Sequence, residues 1–115
     1  MDMEKLFNFK LSKIYPLLVA KAQKKNRSEE EVIACIIWLT GYDEEKIKNI
    51  LLSDITYKDF FVNAPCMNEK RYLVKGSICG IKIEAIEDPI YKDIRILDKL
   101  IDDLAKGKSL EKLLP

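Results

Sequence analysis

Apolar residues recur at helical spacing along most of the chain. The first such segment is predicted to begin after Ser12, whose hydroxyl can cap it, and to end before residues 24–27, with Pro16 in its first turn. Its apolar face consists of Ile14, Leu17, Leu18 and Ala22.

The second segment is predicted to be the central helix of the fold. Ser28 and Glu31 have the spacing of a capping box, in which each side chain bonds the backbone amide of the other residue. From Val32 to Leu39 apolar residues occupy nearly every side of the helix, a pattern typical of an element surrounded by core. Gly41 then supplies the left-handed residue that commonly follows a helix end.

Two shorter helices are predicted next. Asp43 and Thr56 each cap one of them, and the second stops near Pro65. Between the second and third helices, the corner at 39–51 resembles a helix–hairpin–helix that holds a DNA phosphate. It lacks the second glycine, however, and its carboxylates would repel a phosphate, so a structural role is predicted.

Residues 72–84 are the one stretch with strand-like character. Positions 81–84 alternate between apolar and polar side chains, and Gly76 and Gly80 precede them, so a short β-strand or hairpin is predicted near residues 72–84.

The last long helix has both of its ends marked. Asp88 caps it, Pro89 takes its first position and Gly107 follows its end. Such a helix is either deeply buried or leaves part of its apolar stripe for a dimer interface. The stripe contains Ile90, Ile94, Leu97, Ile101 and Leu104, widened by Ile96 and Leu100. Asp98, Asp102 and Asp103 are predicted to lie on its solvated face, among Arg95 and Lys99.

Together these elements predict a mainly α fold, a compact orthogonal bundle of about five helices in one domain spanning residues 1–115. The length of 115 residues and the composition, 48% hydrophobic and 34% charged, are those of an ordinary globular domain. The longest apolar run is too short to cross a bilayer, and the first residues lack the apolar core of a secretory signal. A cytoplasmic protein without a membrane partner is therefore expected.

Charge is unevenly distributed although the net charge is only +1. Residues 1–27 hold seven basic residues against Asp2 and Glu4. This basic N-terminal third is typical of a solvated helix face, and it is also compatible with docking to nucleic acid.

The chain contains no histidine, which excludes Cys–His zinc sites and histidine-dependent catalytic triads. Its three cysteines match neither a disulfide framework nor a metal-binding spacing. Cys35 falls on the helical core stripe. Cys79 is the cysteine with a case for reactivity, because the neighbouring Gly80 can leave it accessible.

Three carboxylates lie close together in sequence at Glu84, Glu87 and Asp88, and Asp93 follows one turn later. Oxygen ligands of this kind suit a hard cation such as Mg²⁺. The alternative is that Asp88 caps the last helix while Glu87 complements its dipole. With Cys79, these three residues are the candidates for a site; no catalytic residue, bound metal or cofactor is predicted.

Several segments carry a family resemblance. They appear in the same order, from about residue 12 onward, in a small bacterial family catalogued as a domain of unknown function, number twenty-two hundred. The resemblance implies a mainly helical, cytoplasmic bacterial protein and brings no assigned activity or site. The segments are IYPLLVAKAQKKNRSEEEV, WLTGYDEE, FFVNAP, ICGIKIEAIEDP and IRILDKLIDDLAKGKSLEKLL.

Three hypotheses of function follow from the sequence. The leading one is a small non-catalytic interaction module that forms a homodimer, or binds another protein, through surplus apolar surface on the helix at 89–105. The second is nucleic-acid binding through the basic N-terminal third. The third is a ligand-binding or metal-assisted enzyme around the segment of Glu84, Glu87 and Asp88.

Overall fold

The computed structural model describes residues 3–115, which form a mainly α structure with one small β-hairpin, as predicted. The described part has seven α-helices, two short 3₁₀ segments and two antiparallel strands. The helices are α1 (Met3–Asn8), α2 (Leu11–Gln23), α3 (Glu29–Thr40), α4 (Glu44–Leu51), α5 (Tyr57–Val62), α6 (Pro89–Ala105) and α7 (Leu110–Leu113). The strands are β1 (Ser77–Ile78) and β2 (Ile81–Lys82), and the 3₁₀ segments are Glu69–Leu73 and Ile83–Ala85.

Helix α6 lies at the centre of the fold, so the prediction that the helix at 28–40 is central was wrong. Helix α6 packs against α2, α3, α5, α7 and β1, whereas α3 packs mainly on α2 and α6 and leaves Ile37 exposed. An apolar pattern shows which residues avoid water, but not how many neighbours will cover them. The fully buried residues of α6 are Ile94, Ile96, Leu97, Leu100, Ile101 and Leu104.

Most of the apolar stripe of α6 is therefore buried within the chain, and of its seven predicted residues only Ile90 is half-buried. Little of the surplus apolar surface expected on the helix at 89–105 is left on this stripe, and a homodimer stays a prediction.

Four of the five predicted helix caps are confirmed, and the fifth, Ser12, is not a cap. The side chains of Ser28, Asp43, Thr56 and Asp88 each accept a hydrogen bond from the backbone N–H three residues further on. These bonds satisfy amides that have no partner within the helix, which is why each helix begins where it does.

The predicted start of the first long helix was wrong. Helix α2 begins at Leu11, and the residue at its cap position, Lys10, makes no side-chain cap bond. Instead the backbone of Lys10 forms a β-bridge with Thr56, in which the Leu11 N–H donates to the Ile55 carbonyl at 2.9 Å. A contact between distant segments thus replaces the local cap, and Pro16 lies inside the helix rather than in its first turn. The short helices α1 and α7 were not predicted.

The predicted hairpin is confirmed, although it is short. Ser77 pairs with Lys82 and Ile78 with Ile81, and both turn residues have positive φ, +52° for Cys79 and +78° for Gly80. Two left-handed residues in succession are typical of a tight hairpin turn.

The chain around Cys66 packs closely on Gly41 at the corner after α3, and a groove of about 380 Å³ opens beside this corner. Gly41 has φ +80°, and a Cβ added there would lie 2.8 Å from the Cys66 carbonyl oxygen. Backbone amides from the segment after α5 donate to the last carbonyls of α3, from Cys66 to Thr40 at 3.1 Å and from Asn68 to Leu39 at 2.9 Å.

None of the helices found in residues 3–115 has both the length and the apolar character that a membrane span requires.

Candidate functional site

The three neighbouring carboxylates of the sequence do not converge on a common point. Glu84 accepts a hydrogen bond from the Gly76 N–H at 2.7 Å, closing the base of the hairpin, and this bond holds the pKa of the carboxyl below its ordinary value. Asp88 is occupied as the cap of α6, and Glu87 is exposed. Across residues 3–115, no group of three or more Cys, Asp or Glu side chains is arranged to hold a metal ion.

Asp93 turns into the protein rather than toward these carboxylates. Its Oδ1 lies 2.9 Å from Arg71 Nε, and both side chains are largely buried. Burial raises the pKa of Asp93 despite the opposing effect of the guanidinium. The pair is a structural contact between α6 and the first 3₁₀ segment.

The cysteines lie in different surroundings. Cys79 is exposed at the tip of the hairpin, as predicted, and Cys66 is exposed above the Gly41 corner. Cys35 is fully buried in α3, and burial raises its pKa to about 12. A thiol that remains protonated at neutral pH is a poor nucleophile, so Cys35 acts as a small apolar core residue.

Two lysine-lined grooves lie at the C-terminal end of α6. The first groove has a volume of about 500 Å³ and lies between the ends of α2 and α6. It is lined by Lys21, Lys24, Lys25, Asp102, Ala105 and Lys106.

The second groove lies on the other side of the α6 terminus and has a volume of about 240 Å³. Its lysines are Lys75, Lys108 and Lys112, and Asp103 also lines it. Its apolar lining comes from Leu73, Val74, Leu113 and Pro115.

We refer to the seven lysines of the two grooves as the lysine cap. Sequence reasoning found only the part that lies within residues 1–27. The remaining four lysines come from the hairpin region and from the chain after α6, and no local pattern links them to α2. Elsewhere in the basic N-terminal third, Lys10 is paired with Asp54 at 3.2 Å and Arg27 serves the fold. The lysine cap comprises Lys21, Lys24, Lys25, Lys75, Lys106, Lys108 and Lys112.

Arg27 fixes the turn that carries two lysines of the cap. Its Nη1 donates to the carbonyl oxygens of Leu104 at 2.9 Å and Lys108 at 2.8 Å, which satisfies backbone acceptors at the end of α6. Its Nε also donates to the Glu31 carboxylate at 3.1 Å. The hydrogen bond from Arg27, aided by the Ser28 backbone, lowers the pKa of Glu31 to about 2.

Two aspartates that line the grooves are paired with lysines and only 19% and 13% exposed, so the solvated face predicted for them was wrong. Asp102 lies 3.2 Å from Lys21 and 2.9 Å from Lys106, which ties the end of α2 to the end of α6. Burial opposes ionisation of Asp102, but hydrogen bonds from both ammonium groups outweigh it and hold the pKa below its ordinary value. Asp103 contacts Lys99 and Lys108 at 3.3 and 3.7 Å.

Asp98 also lies away from a solvated face. Its Oδ2 accepts from Arg95 Nη1 at 2.9 Å, and burial raises its pKa although Arg95 acts against the rise. The three acids predicted to point outward therefore organise the polar edge of the central helix.

Comparison with known proteins gives two matches. The family model described as "Uncharacterized protein conserved in bacteria (DUF2200)" matches residues 5–115. The chain is also similar to the crystal structure of uncharacterized protein SP1917, with a TM-score of 0.94 and 43% identity over 99% of this chain and 93% of the other. No curated protein matches the sequence. Both descriptions are of uncharacterized proteins, so neither assigns an activity.

Proposed function

The chain belongs to the DUF2200 family of bacterial proteins, as its sequence resemblance implied, and we propose that it is a non-catalytic module that docks an acidic protein segment on the lysine cap. The observation that supports this is segregation of charge. The seven lysines and two aspartates of the grooves carry a net charge of +5, so the rest of a chain with net charge +1 carries −4.

A one-sided charge distribution of this kind acts on association. A basic end attracts an acidic partner from a distance and orients the encounter, whereas the acidic remainder disfavours other orientations. Because exposed lysines are screened by salt over about 8 Å at physiological ionic strength, binding through the cap should weaken as salt is added.

The composition of the cap favours an acidic protein over nucleic acid. All cations that line the grooves are lysines, and within the described residues neither an arginine nor an aromatic ring lines them. Proteins that bind single strands usually add aromatic rings for base stacking, and arginine forks give bidentate contacts to phosphates and bases. Nucleic-acid binding is therefore kept as the competing outcome of the test.

We also keep a homodimer as a proposal, although most of the α6 stripe first considered for its interface is buried within the chain. Sedimentation at tens of micromolar tests this directly, and a monomeric profile would leave a different protein as the partner. We also propose a cytoplasmic location, which the three free cysteines support because thiols stay reduced there.

The test of the docking proposal is an anisotropy titration with a fluorescent oligoglutamate peptide, alongside single-stranded and duplex oligonucleotides of similar charge. The variant carries Lys24→Glu and Lys25→Glu, two exposed residues of the first groove. The control carries Lys5→Glu and Lys13→Glu, which make the same change in net charge at exposed positions outside the grooves.

We expect the peptide to bind with an affinity that falls as salt is added. The first variant should lower this affinity by about tenfold, or about 1.4 kcal/mol, and the control variant should lower it less. Equal weakening in both variants would show attraction without a docking surface. Binding of oligonucleotides alone would reassign the cap to nucleic acid. If no probe binds even at low ionic strength, the proposal is wrong.

A further inference from the structure

The second groove differs from the first because a largely exposed leucine lies among its lysines. Leu73 is 62% exposed, while its neighbours in the groove, Val74 and Leu113, are 8% and 5% exposed and belong to the core. We call these three apolar residues the floor of the groove, and of the three only Leu73 is exposed.

Leu73 is held in place rather than carried on a free loop. It ends the first 3₁₀ segment, where the Val74 N–H donates to the Arg71 carbonyl at 3.0 Å. Arg71 is in turn paired with Asp93 of α6. Because the backbone that carries Leu73 is held in place, little backbone ordering is needed when a partner covers this side chain.

The rim of this groove is cationic. Lys75, Lys108 and Lys112 surround the floor, and Asp103 offsets only part of their charge through its contact with Lys108. A volume of about 240 Å³ lies below the roughly 300–1,000 Å³ of pockets that enclose a whole small ligand. The groove is therefore suited to a single side chain of a larger partner.

We propose that the second groove receives one apolar anchor side chain from an acidic protein segment, with the flanking carboxylates of that segment on Lys75, Lys108 and Lys112. This inference rests on the proposed docking function and adds the partner's chemistry. Charge complementarity favours an acidic segment as the partner. The exposed Leu73 favours acidic segments that carry a leucine-like residue between their carboxylates. A buried anchor ringed by polar contacts is a common energetic centre of protein interfaces.

The test compares two fluorescent peptides that contain the same number of glutamates and differ at one central position, leucine in one and serine in the other. We expect the parent protein to bind the leucine peptide about tenfold more tightly. Leu73→Ser should abolish that preference by lowering the affinity for the leucine peptide to that for the serine peptide. Leu52→Ser is the matched control, because Leu52 is 89% exposed and lies outside both grooves.

The possible results separate this inference from the docking function. If both peptides bind the parent equally, or Leu73→Ser keeps the preference, the anchor is wrong while docking on the cap stands. If neither peptide binds, the docking function itself fails. Added salt should lower the affinities for both peptides by the same factor, because the leucine contact is not electrostatic. The ratio of the two affinities should therefore stay constant. A ratio that falls to one as salt is added would contradict the anchor. A thermal melt confirms that the variants are folded.

Discussion

Arg71 and Asp93 join two parts of the fold through an ion pair in which Arg71 Nε lies 2.9 Å from Asp93 Oδ1. Their side chains are only 14% and 7% exposed. Arg71 also donates to the Asn68 carbonyl at 2.9 Å and to the Tyr72 hydroxyl at 2.7 Å. One guanidinium thus links α6 to residues at both ends of the first 3₁₀ segment. The presentation of Leu73 beside the lysines depends on this contact.

Replacing Arg71 with alanine should destabilise the protein by about 3 kcal/mol, because it leaves the Asp93 carboxylate buried without its partner. Urea denaturation at pH 7 measures the loss. Lys70→Ala is the control at an exposed position of the same segment and should cost much less. The difference between Arg71→Ala and the parent should narrow at low pH, where protonation removes the buried charge. A loss at pH 7 no larger than that of the control would mean that the pair does not hold the segment.

Glu31→Gln should make stability less dependent on acidity. The pKa of Glu31 in the folded protein, about 2, lies below its ordinary value of 4.5. The ionised carboxylate therefore contributes its full stability above about pH 4.5, and the contribution is lost as the pH falls toward 2. Glutamine can keep the capping-box bonds, but it is uncharged and cannot form the ion pair with Arg27. We therefore expect the free energy of unfolding to fall by about 1 kcal/mol at pH 7.

The measurement for Glu31 is a series of denaturation curves from pH 7 to pH 2. The parent and Glu31→Gln should converge at the acidic end. Glu30→Gln, at an exposed position on the same turn of α3, is the control and should follow the parent. A constant difference at every pH would show that the variant disturbs packing rather than the ion pair.

Gly41→Ala should cost about 2 kcal/mol more than Gly80→Ala. The two glycines have nearly the same φ, +80° and +78°, so the backbone strain of an added Cβ, about 1 kcal/mol, is common to both. At Gly41 the new Cβ would also meet the Cys66 carbonyl oxygen at 2.8 Å, whereas at Gly80 nothing in the described structure lies within 4 Å. Thermal or urea unfolding of both variants gives the difference, and equal losses would mean that the segment at Cys66 can move aside.

Asp102→Asn should change stability and binding in opposite directions. Removing the carboxylate releases Lys21 and Lys106 and adds one unit of positive charge to the cap, so an oligoglutamate peptide should bind a few-fold more tightly. Stability should fall by about 1 kcal/mol, since the ion pairs between α2 and α6 are only partly screened. Calorimetric titration and a thermal melt of the same variant measure both. Weaker peptide binding by a folded variant would mean that Asp102 matters more for positioning Lys21 and Lys106 than for reducing the positive charge of the groove.

Local signals predicted the helix starts well. A cap joins a side chain to an amide three residues away, so Ser28, Asp43, Thr56 and Asp88 could be identified from the sequence alone. The start of α2 could not, because the backbone bridge between Lys10 and Thr56 uses groups that every residue possesses.

The same distinction explains what was missed in the candidate site. The carboxylates at 84–88 are neighbours in sequence, yet Glu84 closes the hairpin, Asp88 caps α6 and Glu87 is exposed. Lys25 and Lys106 line one groove although 80 residues separate them in the sequence, and only the packing of α2 on α6 brings them together. Leu73 was invisible for a related reason, since a sequence does not show which apolar residue will remain uncovered.

The central position of α6 has a consequence for synthesis of the protein. Helices α2, α3 and α5 are made first, but the helix against which all three pack comes only with residues 89–105. Until that segment has emerged from the ribosome, the nascent chain holds the apolar faces of three helices without their common partner, a state prone to aggregation and open to chaperones. A chain interrupted before α6 would lack the common partner of α2, α3 and α5, so we expect their shared core to form only after residue 105 has been translated.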